Sequence, residues 1–516
     1  MRLAKKVVIA VALAAMASTL AACSSGSTAT TSAVASKHTT LTIGAPSGPN
    51  GLDPYNCGNG PEGNILRSGY DTLIRAAPNG TFQPSLALSW GYTSPTSFSM
   101  KLRPGVRFSD GTPMNSAAVV GNLERASKTL GQITAAFAQA VQSVTAVDPA
   151  DVTIMLSKPN PDLTTILSSC AGMIVSPELL AQSSQMTNTM DGTGPYKYDA
   201  SASTPGSIYT FQRKATYWNA AAYPFHTVVY KIITDFNTEF DAIRSGELDF
   251  AVGTPGEMSS ATAAGLAFVQ GSINFYAVDL RDREGTKVPA LNNVLVRQAL
   301  NYAIDRTAII KTFFGSIGRP TDQLLNVHAP GYDVALNDSY PYDPTKAKQL
   351  LAEAGYPNGF TLPVLSTQGF ELDQILQAVG GYWAKIGVKV QDEVQQIGNW
   401  EVFLISNEYP SAIFPFSGLP PYTAFAQSFG PDGPLDPFHT VNPAVDSALS
   451  QAAAATSAST MAPFITSAQK VLLNQAWYAG VGYDAVIWFY NPKVVNGIQM
   501  QQGESVPHFY NWKVPS

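Results

Sequence analysis

Apolar and polar positions alternate with period two in some stretches of the chain and with the helical period in others, and the two kinds of stretch take turns. Leu41-Thr42-Ile43-Gly44 opens the foldable part as a strand, and residues 97–102 and 208–212 alternate like half-buried strands. Residues 144–147 and 152–156 flank Asp148-Pro149-Ala150-Asp151, which predicts a hairpin. Asn115 stands where a cap belongs for a helix over 116–126, and residues 239–245 form a short amphipathic helix that Gly246 stops in the left-handed conformation. A strand over 274–280 precedes the run 291–314, where Val296, Leu300 and Ile304 share one helical face. Asp343 caps the next helix, Pro344 fits its first turn, Leu350 and Leu351 face the core and Gly355 ends it. A strand over 360–366, a helix over 373–386 and a strand over 387–390 follow, then helices over 445–451 and 461–476 and a strand over 483–490. Such alternation predicts an α/β fold with a mainly parallel sheet in the later half.

A chain of 516 residues is too long for one compact core and implies two or three domains. Hydrophobic residues make up 45% and charged ones only 13%, with Ser, Thr, Ala, Gly and Pro filling the rest, a composition suited to the outside of the cytoplasm. Basic residues are not clustered, so no nucleic-acid partner is expected. Arg2, Lys5 and Lys6 precede an apolar run over 7–17, too short to span a bilayer and flanked like a secretory signal. Leu20-Ala21-Ala22-Cys23 is similar to a bacterial lipobox, which makes 1–22 a signal peptide and Cys23 the lipid-attachment residue; the alternative is ordinary cleavage after an Ala-x-Ala-like site. Removing 1–22 takes three of the 31 basic residues and moves the net charge from −6 to −9. Residues 23–40 read as a flexible Ser/Thr/Ala tether. Cys57 and Cys170 remain, either disulfide-bonded, as an even count in an exported protein invites, or two separate buried thiols.

Catalytic and metal motifs are missing. His38, His226, His328, His439 and His508 are scattered, with no H-x-x-x-H pair, and the chain has no G-x-S-x-G or P-loop. Gly58-Asn59-Gly60-Pro61-Glu62-Gly63 matches a dinucleotide fingerprint in form but holds a proline and lacks the strand before it and the acid after it. Asp282/Glu284 and Glu247/Asp249 read as solvated or structural acids. Neither an enzyme, a metal site nor a cofactor is expected.

Four stretches carry a resemblance. They are DGTGPYKY from Asp191, with Tyr217-Trp218 and GELDF from Gly246; LRPGVRFSDGTP from Leu102; VRQALNYAIDR from Val296; and YDPTKAK through AGY, from Tyr342 to Tyr356. Together they resemble the family 5 solute-binding proteins of ABC importers, whose members bind peptides, nickel complexes and some sugars. The resemblance implies a two-lobed periplasmic-binding-protein fold of type II with two hinge crossings: lobe I from 41–54, 189–275 and 485–516, an inserted subdomain over 55–188, and lobe II over 276–484. It also implies a small solute as ligand, oligopeptide or related, a membrane permease as partner and a monomer held at the extracytoplasmic face of the membrane by its lipid. On this reading Tyr217-Trp218 is packing and Arg297 is a structural ion-pairing residue.

The resemblance further implies that Tyr55, in the loop after the first strand, and Trp400 face the ligand cleft, with packing in the core the alternative for Trp400; Gln368, Phe370, Phe416, Ser417, Leu419 and Tyr422 complete the expected ligand site, their aromatics suiting a neutral or apolar ligand. Leu419 or Pro420 stands near the place where peptide-binding members carry an acid for the peptide amino group, and Ser366-Thr367-Gln368-Gly369-Phe370 lacks the Arg that some members use for the carboxylate. An unpaired buried ammonium costs several kcal/mol. Either Glu408, Asp432 or Asp436 replaces the acid, or the ligand is neutral or apolar.

Overall fold

The computed structural model describes residues 39–57, 60, 62–129, 134–417, 419–501 and 504–515. The expected signal peptide, Cys23 and the expected tether up to residue 38 lie outside the described residues, as do residues 58, 59 and 61 and the side chains of Phe370 and Ser417.

Two large sheets organise the chain. The first has seven strands in the order Ala267–Gly271, Val486–Tyr490, Phe250–Gly253, Thr40–Ala45, Thr227–Ile232, Ile208–Arg213 and Tyr196–Tyr198. The second has six: Arg319–Pro320, Tyr478–Tyr483, Asn274–Leu280, Ser411–Ser417, Thr361–Thr367 and Lys389–Gln395. A four-stranded antiparallel sheet, Ala87–Ser94, Ser97–Leu102, Asp151–Leu156 and Val141–Ala146, shares the core of the first sheet, because Phe98 and Ile154 join one buried cluster with Phe211 and Tyr230. The second sheet has its own core, around Phe275, Leu300, Trp383 and Phe429. Among the described residues no helix is long and apolar enough to cross a membrane.

The caps read from the sequence do their work. The side chain of Asn115 accepts from Ala118 N, that of Asp343 accepts from Lys346 N, and Gly246 has φ of 82°. Other expectations change. The second sheet is mixed: Thr361–Thr367 runs parallel to its two neighbours, while Asn274–Leu280 is antiparallel to both of its own. Periodicity reports burial and not the direction of the partner strand, so it missed this. The run 291–314 breaks at Ala303-Ile304-Asp305 into Val294–Tyr302 and Arg306–Phe314, because Asp305 caps a new helix by accepting from Ala308 N. Arg297 makes no ion pair among the described residues; it donates to the carbonyls of Gln475, Leu291 and Asn292. The strand expected over 483–490 is two strands in different sheets, Tyr478–Tyr483 and Val486–Tyr490.

The signature stretches prove to be framework. A Cβ on Gly194 would lie 2.5 Å from the Gly69 carbonyl carbon, and one on Gly192 would lie 2.4 Å from Gly69 O. These glycines permit close approach of two backbones and not a left-handed turn. Ser109 of the second signature is bound there too, donating its N–H to Gly192 O and to Asp191 Oδ1. Tyr217 Oη and Trp218 Nε1 both donate to buried Asp71, and the Arg103 guanidinium lies 4.0 Å from the Trp218 ring centroid. Asp249 accepts from Thr42 N and joins the GELDF stretch to the first strand.

Glu239 is fully buried against Gly44, with Oε1 accepting from Val252 N and Oε2 without a hydrogen-bond partner. Burial pushes its carboxyl up to about 7. A raised carboxyl favours the fold while protonated; that contribution is complete below the unfolded value and is lost as pH rises through 7. Glu239→Gln should remove this dependence. Urea unfolding at about pH 5 and pH 8.5 should show the wild type losing about 2 kcal/mol relative to the variant between the two. Parallel curves would contradict the assignment.

Candidate functional site

The registers bring functional loops to one edge of each sheet. In the second sheet the parallel strands end at Thr367, Gln395 and Ser417; Ser417 lies opposite Asn274, and Phe275 lies opposite Tyr483. In the first sheet the strands ending at Ala45, Ile232, Gly253 and Gly271 share an edge with the start of Val486–Tyr490. Only Ser272-Ile273 and Asp484-Ala485 join the two edges. Two links of two residues bring the carboxyl edges of both sheets next to each other, and it is at such edges that open α/β sheets bind ligands.

Asp484 fastens the two links. Its carboxylate accepts from Ile273 N at 2.8 Å, Asn274 N at 3.1 Å and Asn274 Nδ2 at 2.6 Å, and its own N–H donates to Asn274 O. Burial, opposed by these donors, holds its carboxyl up at about 6. Glu371 stands near enough to act on it electrostatically and has a φ of 58°, a left-handed conformation rare outside glycine. Strained residues of this kind concentrate in ligand-binding loops.

The residues expected to hold the ligand divide into groups. Gln368 and Leu419 are exposed at the carboxyl edge of the second sheet. Trp400, in the helix Ile397–Leu404 that follows the Lys389–Gln395 strand, is 5% exposed, and its buried Nε1 has no hydrogen-bond acceptor among the described residues. An orphaned buried N–H is costly; the Trp512 Nε1 is orphaned in the same way, and Trp400 itself belongs to the buried core of the second sheet. Phe416 packs into the second core, with its ring centroid 4.1 Å from Phe414 and stacked on Phe429. Tyr422 is half-buried in the first turn of the helix Pro421–Phe429.

Tyr55 does not join them. It is fully buried in the first core, donates its hydroxyl to Asn122 Oδ1 and Met173 O, and lies close to the disulfide that joins Cys57 to Cys170. Asp53 and Pro54 turn the chain inward there, and Arg125 pairs with Asp53, so the loop closes over its own tyrosine. Asp436 is unavailable as a substitute acid, because it is fully buried and engaged by Arg283 at 3.2 Å and by Thr440. Glu408 and Asp432 are exposed. Asp432 borders a cavity of about 300 Å³ whose walls come from both sheets' regions: Gln139, Lys158 and Asn160 on one side, Tyr422 and Asp446 on the other. The acids at 371 and 484 escaped the sequence reading because their partners are distant in the chain, and no spacing announces such partners.

Two sheets joined by paired links at their carboxyl edges define a two-lobed periplasmic binding protein. Solved structures agree: HbpA2 from Haemophilus parasuis superposes with a TM-score of 0.82 at 22% identity, covering 92% of this chain and 100% of that one. DppA from Helicobacter pylori in complex with the peptide STSA gives 0.72 at 20% identity, covering 92% and 98%. Residues 81–432 match the profile of the bacterial extracellular solute-binding proteins, family 5 Middle. The glutathione-binding protein GsiB of Pectobacterium atrosepticum is 32% identical over 354 residues, 67% of each chain. The chain belongs to family 5 of the bacterial extracellular solute-binding proteins, a family of binding proteins and not of enzymes.

Proposed function

We propose that this protein is the extracytoplasmic binding subunit of an ABC importer, anchored by lipid at Cys23, that captures a peptide-like or other small neutral or apolar solute between its lobes and delivers it to a membrane permease. Lobe I is assigned 41–54, 189–275 and 485–516 with the insert 55–188, and lobe II 276–484. The observation that carries the reading is the edge of the second sheet, where Gln368, Trp400 and Leu419 follow three parallel strand ends beside the hinge links. The peptide complex of DppA and the glutathione-binding relatives favour a peptide-like ligand. Leu419 and Pro420 offer no charge for a free ammonium, so a blocked or apolar peptide fits better than a free polar dipeptide. The orphaned Trp400 N–H supplies the donor that a peptide carbonyl needs.

Titration calorimetry with paired free and amino-blocked di- and tripeptides tests this reading. The blocked apolar peptides should bind at least as tightly as the free ones. Tight binding of free dipeptides only, abolished by Asp432→Ala, would move the amino-group site to the cavity edge and overturn the neutral-ligand reading. Failure of every solute to bind or raise the melting temperature would favour a ligand-sensing or adhesion lipoprotein that kept the fold.

A further inference from the structure

Asp162 stands in the cap position of the helix Leu163–Ser168, yet its side chain makes no capping bond there. Its Oδ2 instead accepts from the backbone N–H of Thr423 at 2.7 Å and from the Thr423 hydroxyl at 2.8 Å, 261 residues away in the helix Pro421–Phe429. That helix has no side-chain cap of its own, because Pro420 occupies the cap position. Thr423 is its third residue, whose N–H an N-cap side chain would ordinarily take. A carboxylate at this end also meets the positive pole of the helix. Asp162 is 3% exposed and has no cationic partner among the described residues; the two Thr423 donors and the Tyr422 N–H face its carboxylate. It sits beside Asn160 and Thr423, both of which line the 300 Å³ cavity.

We propose that Asp162 is a closure latch: a residue of the insert in lobe I that caps a helix of lobe II, forms its two hydrogen bonds only when the lobes meet, and thereby sets how much of the protein is closed before any solute binds. The sequence favours the device from both sides. Pro420 deprives the helix of a local cap, and Pro161 directly precedes Asp162. When the lobes part, the Thr423 N–H and the carboxylate both return to water, so the bonds bias an equilibrium without holding it irreversibly. Apparent solute affinity scales with the closure-competent fraction, which makes Asp162 an affinity-determining residue that touches no ligand. The latch depends on the two-lobed fold and not on the identity of the solute.

The test needs no ligand. Ketone-bearing side chains introduced at exposed Val147 and Val441, one in each lobe, carry spin labels on the full chain, and electron–electron distance measurements report lobe separation. The unliganded wild type should show a short-distance population, which Asp162→Ala should reduce about five-fold or more in favour of longer distances. Thr423→Val keeps the backbone donor and removes the hydroxyl, and should fall between the two. A melting curve checks that each variant is folded. Should Asp162→Ala fail to fold, Thr423→Val alone decides. A distance distribution like the wild type's in every folded variant would overturn the latch.

Discussion

Reducing the Cys57–Cys170 bond, or replacing both cysteines by serine, should lower the stability of the first lobe by about 4 kcal/mol. The bond closes a loop of 113 residues with Cα atoms 6.4 Å apart, and both cysteines are buried in the core of the lobe, 4% and 2% exposed. Cross-linking so long a segment removes much of the freedom of the unfolded chain, and the chain-entropy relation places the effect among the largest that one bond provides. The loss should fall on the insert and the first sheet, because Tyr55, packed with Cys57, ties the loop to Asn122 and Met173. Denaturant unfolding followed by hydrogen exchange checks this. Early exchange in 62–175 of the double variant with an unchanged second lobe is expected; uniform exchange and an unshifted midpoint would contradict it.

The second large effect belongs to the hinge. Asp484→Ala leaves the N–H groups of Ile273 and Asn274 and the Asn274 amide without their acceptor, in a site where Asp484 itself is only 5% exposed. Hydrogen bonds to a charged acceptor contribute about 1.5–3 kcal/mol each, and some of the loss is recovered by water reaching the opened links, so a total near 3 kcal/mol is expected. The more telling consequence is loss of coupling. The two lobes have separate cores, and the fastened links help them unfold together. Calorimetry should show the single transition of the wild type splitting into two in Asp484→Ala. One transition at the wild-type temperature would mean that Asp484 does not clasp the hinge.

Much of the framework could be read from the sequence because local rules govern it. Asn115, Asp343 and Gly246 act within their own turns, and the 144–156 hairpin is set by its Asp-Pro turn. What could not be read depends on partners far along the chain. Alternation in 483–490 marked burial but not the change of sheet at Asp484-Ala485, where one apolar run serves two cores. Tyr55 was expected at the cleft because the resemblance places the loop after the first strand there, yet the Arg125–Asp53 pair turns it inward. Asp162 carries no sequence signal, and nothing near it in the chain points to Thr423, 261 residues away. In the second lobe, sequence singled out Trp400 as an aromatic of the cleft, and the structure adds its orphaned N–H.

The central claim is that a solute is held between the lobes against Trp400. Native mass spectrometry of the protein purified from its host, compared with Trp400→Ala, tests it most directly. The wild type should carry a non-covalent small adduct that leaves on unfolding, and the variant should bind it roughly thirty-fold more weakly, as expected for loss of an aromatic anchor worth about 2 kcal/mol, and should emerge largely bare. An adduct retained equally by Trp400→Ala would contradict the account, as would a wild type that stays bare and gains no mass with any peptide offered.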